Sequence, residues 1–230
     1  MKGLAKTVIV IMVVILGCCT RTHAWDVRYD ASAGLLPTAA SPAWQSEVHD
    51  APTSIVDAAL HIGNSSDGGT SYSREAAAIG AGVPLTVETR MRVLSTNNGQ
   101  ADITIGTYSG WVNISISPNR VLVTDRYYQA HTFGHNLTAF HTIRLAYDGG
   151  GGAYLWVDAH LALSWAVPPW SPGTGYPQGV LFGSYSSDSY WQYVAYSKEF
   201  LPVPEPSSLA ALGAGLLPLA VGVRRRWRRR

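Results

Sequence analysis

The chain has 230 residues, 47% of them hydrophobic and 14% charged, with a formal net charge of +2. That charge misdescribes the body: between Trp25 and Pro206 eight basic residues face fifteen acidic ones, a balance of minus seven, while six of the seventeen basic residues lie in the last seven positions. An acidic body argues against a nucleic-acid binder, which needs basic density to offset phosphate charge.

Met1 to Ala24 places Lys2 and Lys6 ahead of an apolar run from Val8 to Cys19, then Thr22-His23-Ala24. This is the pattern of a secretory signal peptide (residues 1–24) cut between Ala24 and Trp25. Ile15-Leu16-Gly17-Cys18 offers a second reading, lipidation at Cys18, although Leu16 is bulky for such a box; an uncleaved anchor is the third. Cleavage after Ala24 removes both cysteines. The exported domain must then hold itself together by its apolar core and hydrogen bonds, without disulfides.

Residues 25–202 read as one all-β domain, long enough for a sizeable core. From Pro84 to Leu94, Leu85, Val87, Met91 and Val93 share one face, and Thr86, Glu88, Arg90 and Arg92 share the other. A period of two predicts a strand with one wet side. Further strands are predicted over Ala101–Tyr108, Trp111–Ser117 and Arg120–Thr124, the last two joined by a tight turn at Pro118-Asn119. His141–Tyr147 follows, then a break at Asp148 and four glycines. Ala153–Ala159 comes next, with a tight connection at Asp158-Ala159-His160 and a continuation through Leu161-Ala162-Leu163. Gly179–Ser184 and Ser189–Phe200 close the domain. Frequent short strands, Gly-rich turns and no long helix predict a two-sheet antiparallel sandwich.

The C-terminal segment, 203–230, reads Val203-Pro204-Glu205-Pro206-Ser207, an apolar stretch, then Arg224, Arg225, Arg226, Trp227, Arg228, Arg229 and Arg230. The stretch 208–223 has sixteen residues, short of the roughly 20 a membrane-spanning helix needs. Its glycines and Pro218 weaken it further as a rigid helix. Flanking arginines make up some length by reaching to the interface, and they act as cytoplasmic topology determinants. A short imperfect span suits a segment held temporarily and then cut; a permanent anchor is the alternative.

This order of Pro204-Glu205-Pro206, hydrophobic helix and terminal arginines resembles the PEP-CTERM sorting signal. The resemblance implies export across the inner membrane of a Gram-negative bacterium and recognition of the tripeptide by an exosortase-type membrane peptidase. The destination it implies is the cell surface or the extracellular matrix of a polysaccharide-producing biofilm. In the body, His141–Tyr147, Ala153–Asp158 and Tyr190–Tyr196 resemble the concanavalin A-like lectin/glucanase jelly roll, in its laminin-G-like branch. A propeller or an immunoglobulin-like sandwich is the alternative architecture.

Chemistry is sparse on this scaffold. The glucanase strand Glu-x-Asp-x-x-Glu is absent, and Glu88 is followed by Arg90 and Arg92 where carboxylates are required. There is no Gly-x-Ser-x-Gly elbow, and Gly149–Gly152 lacks the lysine of a phosphate loop. His131 and His135 are four apart but separated by Thr132-Phe133-Gly134, which does not read as a helix, so they are not a helical zinc pair. The concanavalin A-like resemblance makes calcium the expected metal, if any, with Asp67, Asn97, Asp148 and Asp188 as candidate oxygen donors. Eight tryptophans and twelve tyrosines carry the binding case. Trp156 and Trp191 are expected in the core. Trp165, Trp170, Tyr176, Tyr127 and Tyr128 are the candidate sugar-stacking rings. These readings lead to a non-enzymatic surface or matrix protein, with a lectin-like exopolysaccharide-binding module as its rival and a glycoside hydrolase a distant third.

Overall fold

The computed structural model describes residues 25–64, 68–75, 83–107, 110–125, 130–166 and 179–202. The predicted signal peptide, its cleavage junction on the Ala24 side, and the whole tail from 203 lie outside them. Among the described residues thirteen strands are formed: β1 Val27–Asp30, β2 Gln45–His49, β3 Thr53–Val56, β4 Ala59–Ile62, β5 Gly69–Glu75, β6 Leu85–Thr107, β7 Gly110–Ser117, β8 Arg120–Asp125, β9 Ala130–Gly134, β10 His141–Tyr147, β11 Gly152–Val157, β12 His160–Ala166 and β13 Gly179–Ser197. All pairings are antiparallel.

Two long strands organise everything else. β6 and β13 pair along nearly their whole length, with register shifts at Tyr185/Ser187, Asp188/Ser189 and Trp191/Tyr193. Such bulges bend and twist a strand pair locally. Before the bend, β6 pairs β10; beyond it, β6 pairs β7. The first layer therefore runs β12-β11-β10-β6-β13-β4-β3, with β1 also on β13. The second runs β9-β8-β7-β6-β13-β5-β2, using the other halves of the two long strands. Hydrogen bonding is continuous through the bend, and the halves fold over each other as a β-sandwich.

The core shows the folding-over directly. Phe182 and Trp191 sit nine residues apart on one strand, yet their ring centroids are 5.2 Å apart. Trp44 meets Phe182 edge-on at 5.1 Å, and Tyr29 and Tyr72 pack on the same ring. Leu85, Val87, Met91 and Val93 are buried as the alternation requires, and so are Ile103, Ile105, Ile114, Ile116, Val121 and Val123 from the second layer. Thr89 shares the inner face; its hydroxyl donates to the Tyr193 carbonyl (2.7 Å), next to the bulge at Gln192.

The predicted turns form. Pro118-Asn119 links β7 to β8, with Ser117 opposite Arg120. Asp158 and Ala159 have φ of 49° and 66°, the left-handed pair of a tight hairpin turn. Asp57-Ala58 repeats that dipeptide and geometry between β3 and β4, at φ of 50° and 58°. Three expectations are corrected. The strands foreseen at 84–94 and 101–108 are one strand, as are those at 179–184 and 189–200, except that the second ends at Ser197. Trp156 is buried but lies on the outer face, opposite Arg144, rather than in the core between the layers.

Candidate functional site

On the outer face of the first layer, residues skipped by the core line up across the strands. One row is Trp156, Arg144 and Glu88; the next is Thr142, Arg90 and Tyr193; a third contains Arg92, Tyr190 and His61. The third row is a stack: His61 lies on Tyr190 at 4.5 Å, and the Arg92 guanidinium sits 4.4 Å from Tyr190 and 4.8 Å from Phe140. His61 also meets the Asp188 carboxylate at 2.7 Å.

The chain crosses this face as it leaves the domain. Thr86 Oγ1 donates to Glu199 O and accepts from Leu201 N, at 2.7 and 2.9 Å. Phe200 covers Tyr154 and Trp156, and Leu201 is buried. Arg144 fixes the strap by donating from Nη1 to Leu201 O (3.0 Å), while its Nε donates to Glu88 Oε2 at 2.7 Å. Tyr193 donates to Glu88 Oε1 at 2.8 Å. Burial, reinforced by the Glu88 charge, pushes the Tyr193 hydroxyl up to about 12.

Beside the strap is a cleft of about 220 Å³ lined by Glu88, Thr142, Arg144, Trp156, Asp158 and Ala159. Asp158 sits in the β11–β12 turn. Its Oδ1 accepts from Thr142 N at 2.9 Å and its Oδ2 meets His141 Nδ1 at 2.5 Å. Burial opposes ionisation of this carboxyl, but the Thr142 amide and the His141 and His135 rings outweigh it and hold Asp158 below the usual carboxylate range. His135, just past β9, meets His141 edge-on at 4.7 Å. His135, His141 and Asp158 each offer one ligating atom within 4.8 Å of the others, the one such group of His, Cys, Asp and Glu among the described residues.

Of the residues singled out in the sequence, Trp165 lies at the seam where β12 approaches β9. It packs on His131 (5.5 Å) and on Tyr147 and Ala153, with Nε1 buried and unpartnered. Trp170, Tyr176, Tyr127, Tyr128 and Asp67 fall outside the described residues. Asp148 caps its own turn, accepting from Gly150 N and Gly152 N at 2.7 and 2.9 Å. Asp188 is engaged by His61, and Asn97 is exposed on β6. Of the oxygen donors in view, Asp148 thus lies in the β10–β11 turn, while Asn97 and Asp188 lie on the paired strands β6 and β13. Trp25, the expected new N-terminus, lies over the Arg144 guanidinium at 5.5 Å. Sequence reasoning missed Thr142, Arg144 and Asp158 as a group, because only strand pairing brings the ends of β10 and β11 together. His135 was weighed only with His131, and His141 not at all, since neither forms a spaced motif with Asp158.

Comparison with known proteins divides the chain in two. No curated protein matches the sequence. The binding domain of botulinum neurotoxin serotype G is similar in structure, with TM-score 0.57 and 14% identity over 83% of this chain and 51% of that one. The binding domain of botulinum neurotoxin DC, in complex with rat synaptotagmin II, gives 0.54 and 14% over 69% and 44%. A third, from work on botulinum neurotoxin type C entry through two ganglioside molecules, gives 0.51 and 11% over the same shares. At these identities the likeness is one of fold, and the chain spans about half the length of the structures it matches. The PEP-CTERM protein-sorting motif matches residues 202–230. The chain is therefore a β-sandwich followed, over residues 202–230, by a PEP-CTERM sorting motif.

Proposed function

We propose that this chain is an exported, non-enzymatic surface or extracellular-matrix protein of a Gram-negative bacterium, processed through its tail by an exosortase-type membrane peptidase. The observation that carries this reading is the sorting motif over 202–230. The site supports it: Leu201 is the last buried residue among those described, and Pro204-Glu205-Pro206 begins three positions later in the sequence. The cleft carboxylates argue against glycoside hydrolysis. A general acid needs a raised pKa, whereas Asp158 is depressed; the Glu88 oxygens are already occupied, accepting from Arg144 and Tyr193.

The test is the intact mass of the protein recovered from membrane, surface and medium fractions of its host. A species starting at Trp25 and ending near Pro204–Pro206, outside the inner membrane, is the expected result. A membrane species still ending at Arg230 would overturn the processing.

The cleft favours one second reading, an exopolysaccharide-binding module. Trp156 offers an aromatic edge beside Arg144, Thr142 and Asp158, the mix of apolar wall and few polar groups that sugar sites use. Binding to secreted polysaccharide should fall on Trp156→Ala with the circular dichroism spectrum unchanged. Equal binding by wild type and variant would remove the cleft from consideration.

A further inference from the structure

Three donors at one seam of the sandwich form a set that the fold alone does not require. His135 follows β9, in the second layer; His141 opens β10 and Asp158 turns β11 into β12, both in the first. Their ligating atoms lie within 4.8 Å of one another. Donors on a tetrahedral zinc ion sit about 2.0–2.2 Å from the metal, hence roughly 3.3 Å apart. Side-chain rotation closes the remaining difference and opens the 2.5 Å His141–Asp158 contact.

His135 Nε2 is buried without a hydrogen-bond partner. A buried polar atom left unpaired costs free energy, and coordination is one way to satisfy it. Asp158 is already oriented as ligating carboxylates are, with Oδ1 accepting from the Thr142 amide. It also lines the cleft, so a fourth position would open toward solvent. His131 is not part of the set: it lies four residues up an extended strand, roughly 13 Å away, against Trp165.

We propose that His135, His141 and Asp158 bind a divalent transition metal of the zinc class, clasping the two layers at the edge where β9 and β12 meet. Two imidazoles and one carboxylate suit Zn²⁺ and disfavour Ca²⁺, which takes six to eight oxygens. The body from Trp25 to Pro202 contains no cysteine, so the ion supplies a crosslink that disulfides within it do not. The inference is independent of tail processing and of any glycan.

The test uses the exported protein without an affinity tag, stripped with EDTA and titrated with ZnCl₂. One equivalent per chain is expected, with a melting temperature raised by several degrees and, with Co²⁺, the visible absorption of a tetrahedral nitrogen–oxygen site. His135→Ala should weaken Zn²⁺ binding about tenfold or more and abolish the thermal shift, while His131→Ala keeps both. Asp158→Asn, which retains the acceptor for the Thr142 amide, should also weaken binding and guards against a misfolded histidine variant. Substoichiometric zinc in the wild type, or unchanged affinity in the His135 and Asp158 variants, would overturn the site.

Discussion

Asp102 shows how a single side chain sets a pH dependence. It lies on the outer face of the second layer, where Ser115 Oγ donates to its Oδ1 at 2.8 Å. Desolvation outweighs this and the other hydrogen bonds, and the carboxyl is pushed up from 3.8 to about 6. Between those values the folded chain keeps a proton that the unfolded chain has released. Stability should therefore be full below about pH 4, decline as the pH rises toward about 6, and level off above. Asp102→Asn keeps an acceptor for Ser115 and removes the titration. Urea melts at pH 7.5 should show the variant more stable by about 1–3 kcal/mol, with little difference at pH 4; equal stability at both would refute the assignment. At Glu88 the side chain is held in an ion pair with Arg144. Glu88→Gln leaves Arg144 half-paired beneath the strap and should cost about 2 kcal/mol or more at neutral pH, read by the same melts.

At the scale of elements, turns and alternation were legible and strand lengths were not. Leu85-Val87-Met91-Val93 gave its face directly, because every alternate side chain on a one-sided sheet reports burial. Pro118-Asn119 and Asp158-Ala159 marked their hairpins through local backbone preference. Ser95-Thr96-Asn97-Asn98-Gly99-Gln100 reads as a break, yet it is strand within β6. Gly99 is there for close approach: a Cβ would collide with the Tyr185 carbonyl and Ser186 across the bulge. Gly183 is similar, with Thr70 O and Ser71 against it. Gly183→Ala should cost about 2 kcal/mol or more, since the obstacle is backbone. Ala58, at φ 58°, makes the reverse case. Ala58→Gly should stabilise by about 0.5–1 kcal/mol, by relieving left-handed strain at a residue with a Cβ; a thermal melt decides it. β1 to β5 and β9 escaped prediction: β1, β4 and β5 pair β13, far along the chain, and β2, β3 and β9 are only four or five residues long.

Across the whole molecule, the first and last described residues converge on one patch. Trp25 covers Arg144, Asp26 accepts from Lys198 N at 2.6 Å, and Leu201 closes over the same arginine. The strap belongs to the fold. Ending the chain after Pro202 should leave the melting temperature unchanged, whereas ending it after Ser197 should lower it by several degrees, through the loss of buried Leu201 and the bonds to Thr86 and Arg144. Equal melting of the two truncations would show the strap to be ornamental.

The sequence by itself determined the β class, the face of the clearest strand, the two tight turns and the sorting motif. Each of these is written in contiguous residues: a period of two, a turn dipeptide, or a tripeptide followed by an apolar run and arginines. Tertiary structure alone decided that β6 and β13 run through the bend as single strands, that Trp156 faces outward, and that His135, His141 and Asp158 meet. Those outcomes depend on pairing between segments up to about a hundred residues apart. Only the closed sandwich sets the register of such pairs, because burying both inner faces at once leaves one alignment that hides the core.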